Sequence, residues 1–232
     1  MTRGTSFLPE PDLDTSLDER YARIRESIAA NPAPVVPTGV RVAWALALVP
    51  VFAAAVVFAI ARLISRSPLR ADLARLWPVL AGAAAFTLVA TFIATRRGRS
   101  GLGSGIVALL AIALVATPAF AGLSLAGAIG APPPSAARAA GLSRFGLACI
   151  GIAVAVGGVV LAAFAVALRR AVPVATVGRA AALGAVAGCW PGLAVIFFCP
   201  AGDLVHLLVG HVLPILGLTI VGAVALPPAL RP

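Results

Sequence analysis

The chain has 232 residues, of which 61% are hydrophobic and only 11% charged, with a formal net charge of +10. That balance lies far outside the range of soluble globular domains and predicts an all-α integral membrane protein with several spans of about 20 residues each. Every basic residue is an arginine, and the arginines sit scattered at the ends of apolar runs, where lipid headgroups would meet them. A nucleic-acid footprint would gather them on one face, so direct nucleic-acid binding is not expected.

Residues 1–12 carry two prolines and little to bury, which reads as a disordered lead-in. A helix is predicted next. Leu13, Leu17, Tyr21, Ile24 and Ile28 recur at spacings of four, four, three and four, and so form one apolar stripe. Asp14, Asp18 and Glu19 precede Arg20, Arg23 and Arg25, the order that the helix dipole favours. A lone amphipathic helix cannot bury its own stripe, so those five residues are expected to dock on a partner. The near-balanced charge argues against a strongly basic lipid-binding helix, although the membrane surface and the rest of the chain stay open as alternatives to another protein. Residues 32–38 (PAPVVPT) form a stiff extended linker. The expected division is a cytoplasmic segment over 1–40 and a six-helix transmembrane domain over 41–232.

Six apolar runs follow, at about 42–61, 76–95, 105–126, 145–168, 180–198 and 204–226, each long enough to cross a bilayer. The first begins behind a charged, proline-rich segment, which is not the layout of a signal peptide. With the N-terminus inside, the cytoplasmic segments hold Arg3, Arg20, Arg23, Arg25, Arg41, Arg96, Arg97, Arg99, Arg169, Arg170, Arg179 and Arg231. The outer segments hold Arg62, Arg66, Arg70, Arg75, Arg138 and Arg144. This asymmetry predicts that both termini are cytoplasmic, in a bacterial inner membrane. Residues 66–76 read as a short interfacial helix with Leu69, Leu73 and Leu76 toward lipid, and 130–144 as an irregular loop.

The reactive side chains concentrate between Gly184 and Pro214. This stretch holds two of the three cysteines, both histidines and the last acidic residue, Asp203. Cys199, Pro200, Ala201 and Gly202 read as a tight turn joining the last two spans as an antiparallel hairpin. Cys199, Asp203 and His206 then lie at its outer mouth, with Cys189 and His211 deeper. At about 100° per residue, His211 falls roughly 140° around the helix from His206. Thiolate and imidazole suit zinc or copper, and Asp203 could complete a ligand set, which makes Cys199, Asp203, His206, His211 and Cys189 the candidate sensor or metal residues. Their spacing matches no closed zinc motif, and Cys189 reads equally well as a small apolar residue. Gly184, Gly188 and Gly192 stand four apart, a zipper for close helix packing. Pro50, Pro118, Pro191 and Pro214 fall inside spans, where each removes a backbone hydrogen bond.

No Ser-His-Asp set, carboxylate pair, phosphate loop or zinc-protease motif is present, so the chain is not expected to be an enzyme. Composition and spacing alone leave open a regulator, a small transporter or channel framed by Pro191 and Pro214, and a structural membrane subunit. The segment LDERYARIRESIAANPAPV, the outer-loop segment RADLARL, the hairpin FFCPAGDLVHLLVGHVLP and the terminal ALRP together resemble the NrsF-type bacterial integral-membrane anti-sigma factors. The two histidines after Cys199 depart from that family's pattern. The resemblance implies a negative regulator of transcription. Its N-terminal segment would hold an extracytoplasmic-function sigma factor at the membrane and release it on a periplasmic signal.

Overall fold

A computed structural model of the chain describes residues 73–96, 105–129, 144–169, 176–198 and 204–230, with scattered positions between 19 and 59. The chain divides into two units, Met1–Val36 and Pro37–Pro232. In the first, Glu19, Tyr21, Ala22 and Glu26 are helical and the Tyr21 ring is exposed. Leu13, Leu17, Ile24 and Ile28 lie outside the described residues.

The second unit is helical in its described residues, apart from a few turn positions at helix ends. Its helices are α1 (Leu73–Thr95), α2 (Ile106–Ala128), α3 (Arg144–Ala167) and α4 (Thr176–Phe198). A final span follows, made of α5 (Leu204–His206), a π turn (Leu207–Val212) and α6 (Leu213–Ala225), and a last short helix, α7, covers Pro227–Leu230. Alanine, leucine and valine dominate all of them, and a helix satisfies its own backbone groups, as an apolar solvent demands.

Among the described residues five helices are long and apolar enough to cross a membrane. The sixth expected span, near 42–61, lies mostly outside the described residues. It is described only at scattered helical positions, among them Trp44, Val49, Phe52 and Ala53, and so contributes no described span. The expectation for Leu76 is corrected. It belongs to α1 and is buried, with its side chain 3.3 Å from where a Cβ on Gly127 would stand, rather than facing lipid. The span begins earlier than the apolar run alone indicates, which draws Leu76 into the bundle.

Cross-contacts show that successive helices reverse direction. Arg179 Nη1 at the start of α4 donates to the Arg96 carbonyl at the end of α1 (3.3 Å), and Gly178 faces the Ile106 side chain at the start of α2. The opposite end brings the start of α1 to the end of α2 through Leu76 and Gly127. A guanidinium on the last carbonyls of a helix is favoured by the dipole, and Arg96 itself lies over the Phe92 ring at 5.6 Å. Along α1, Thr87, Thr91 and Thr95 each donate a hydroxyl to the carbonyl four residues back, at 2.6–2.7 Å, so three buried polar groups are satisfied within their own helix.

The core is organised around α4. Within its apolar window 83% of residues are buried inside the bundle, against 22–44% in the other four spans, so α4 is the post that the others surround. Glycine makes this enclosure tight. A Cβ on Gly188 would stand 2.7 Å from Ile215 Cα, one on Gly222 2.5 Å from the Ala180 carbonyl, and one on Gly184 against the Leu218 carbonyl. The backbones of α4 and α6 are therefore in direct contact, antiparallel, with paired positions symmetric about residue 201. Gly192 faces Phe120 of α2 instead, whose ring meets Phe86 edge-on at 6.1 Å.

Candidate functional site

The final span cannot remain a regular α-helix through Pro214. In such a helix the Gly210 carbonyl would accept from residue 214, but proline has no N–H and its ring crowds that carbonyl. The backbone widens just before the proline, and Leu213 N–H donates to the Leu208 carbonyl five residues back. Regular α geometry resumes with Pro214 in its first turn, where a missing N–H costs nothing.

Widening the turn changes which residues share a face. Positions five apart lie about 140° apart on an α-helix, whereas a π turn closes a hydrogen bond over that separation and brings them onto one face. His206 and His211 stand at the two ends of this turn, and their rings meet edge-to-face with centroids 5.4 Å apart and planes at 75°. Both are buried, at 1% and 2% exposure. The expected 140° offset is thus corrected, and its cause is Pro214.

The third member comes from α3. Cys149 is half-buried against Val195 of α4, and the Cys149 sulfur and the ligand nitrogens of His206 and His211 all lie within 4.8 Å of one another. Gly210 borders both groups: a Cβ there would make ordinary contact with Cys149 Cβ and His206 Nε2, each at 3.5 Å. The cluster sits near the end of the bundle where α3 and the final span begin and α4 finishes.

Among the described residues, neither ring nitrogen of His211 has a hydrogen-bond partner. A buried polar atom left unmatched costs about 1–3 kcal/mol, so such a group calls for a water, an ion or another ligand. One sulfur and two imidazoles within this distance are close enough to hold a metal ion.

Of the residues singled out from sequence, the structure brings together His206 and His211. Cys199 and Asp203 lie outside the described residues. Cys189 does not join the histidines; it is fully buried in the main apolar core. The reason is helical phase. Gly188 turns its face to Ile215, and the next residue points about 100° away from that contact. Cys149 takes its place, and the readable signal for it was depth, since it lies five residues into α3 just as His206 lies at the start of the final span.

The fold and this site define a class: a helical bundle with the length and apolarity of a polytopic membrane protein, carrying a cysteine and two buried histidines together near one end. Residues 28–231 match the family described as Negative regulator of sigma F, NrsF, and the chain belongs to that family. Comparison with curated proteins and with solved structures gives no match.

Proposed function

We propose that this protein is a membrane-bound anti-sigma factor of the bacterial inner membrane. Its N-terminal segment holds an extracytoplasmic-function sigma factor on the cytoplasmic side, and a periplasmic signal acting on the bundle releases it. The observation that carries this reading is membership of the negative regulator of sigma F family over 28–231. Support comes from the apolar stripe Leu13, Leu17, Tyr21, Ile24 and Ile28, which lies mostly ahead of the family match and needs a partner. Tyr21, the described member of the stripe, is exposed and so available to one. The arginine asymmetry favours both termini in the cytoplasm, on the side where a sigma factor resides.

Deletion of residues 1–31 tests this directly. Transcriptome measurement should show constitutive expression of a defined gene set, while the truncated bundle still fractionates with membranes. Unchanged transcription, accompanied by loss of a solute flux, would replace the regulator with a transporter. Reporter fusions at the C-terminus test the orientation: a cytoplasm-active fluorescent reporter is expected to glow, and a periplasm-active phosphatase to stay silent.

A further inference from the structure

We propose that Cys149, His206 and His211 form a binding site for a single thiophilic transition cation. Three observations meet there. The three ligand atoms lie within 4.8 Å of one another, while a tetrahedral ion with ordinary metal–sulfur and metal–nitrogen bonds sets its ligands about 3.4–3.7 Å apart, a gap that small side-chain rotations close. His211 is buried with both nitrogens unpartnered among the described residues, so a cation supplies the interaction that those residues do not. The π turn is the element that aligns the two histidines, and such turns concentrate at functional sites. Pro214 accounts for the widened backbone, but not for a histidine at each end of it or for a cysteine opposite.

The donor set selects the ion. One thiolate and two neutral imidazoles carry a single negative charge, so Cu(I) would leave the site neutral and Zn(II) would leave it positive. The described neighbours Val195 and Gly210 are uncharged, and a net charge in such surroundings is costly. Soft ligands also suit Cu(I), whereas structural zinc ordinarily takes four protein ligands. The cation replaces the thiol hydrogen of Cys149, which leaves as one proton per ion bound. Affinity therefore falls as the pH is lowered.

This inference does not depend on the sigma-factor reading, because its test uses binding alone. Full-length protein in detergent is stripped with a chelator and titrated with Cu(I), under reductant, against a chromogenic Cu(I) chelator. A parallel titration uses Zn(II) against a fluorescent zinc chelator. One equivalent of Cu(I) is expected, bound more tightly than Zn(II). C149S and H211Q should each weaken it by about 100-fold or more, while C189S leaves it unchanged. X-ray absorption of the copper-loaded protein should show one sulfur and two nitrogen neighbours. P214A keeps all three ligands but lets the span return to α geometry, and it should weaken binding about tenfold. Loss of stoichiometric binding in the wild type, equal affinity in C149S and H211Q, or a shell without sulfur would each overturn the site, and tighter Zn(II) than Cu(I) would overturn the charge argument.

Discussion

Replacing His211 with leucine removes two polar atoms that make no hydrogen bond among the described residues and fills their place with carbon. The expected outcome is a protein more stable without metal by about 1–3 kcal/mol, read as a higher melting temperature in detergent, that no longer responds to the cation. A stability unchanged or lowered by H211L would mean that the ring has a structural partner after all. The opposite sign is expected at Gly188 and Gly184. There valine would force apart the backbones of α4 and α6, and overpacking of this kind costs about 1–3 kcal/mol or more. Thermal unfolding of G188V and G184V, with G217V as a control at an open position, checks this.

At the scale of elements, the last five apolar runs were legible because each keeps its apolar residues for the length of a bilayer and stops at arginine, glycine or proline. Helices Leu73–Thr95, Ile106–Ala128, Arg144–Ala167, Thr176–Phe198 and the span from Leu204 all begin within about four residues of where those runs begin. The site was less legible, for one physical reason. Reading His206 and His211 at a constant 100° per residue assumes an unbroken α-helix, and Pro214 breaks that assumption locally. Histidines five apart with a proline three residues beyond the second are therefore a readable signature of a π turn, once the carbonyl facing the proline is considered. If that account is right, P214A converts 207–212 to α geometry. The backbone amide that this substitution introduces would then donate to the Gly210 carbonyl, and its hydrogen exchange should be slow relative to the neighbouring turn.

For the molecule as a whole, the cation site and the partner-seeking stripe belong to separate units of the chain, so they can be tested separately. Δ1–31 is expected to abolish capture of a sigma factor while leaving one equivalent of Cu(I) bound; H211Q should do the reverse. The enclosure of α4 carries a consequence for how the protein is made. It is the least hydrophobic of the five spans and the most surrounded, and it carries Arg179, so lipid alone is a poor host for it. Yet α6, whose backbone it touches most closely, leaves the ribosome after it. The central post must therefore wait in the membrane, or beside the translocation machinery, for a neighbour that has not yet been synthesised. A chain ended after Phe198 should leave α4 weakly integrated and readily extracted by alkali, and supplying residues 199–232 as a separate polypeptide should restore it.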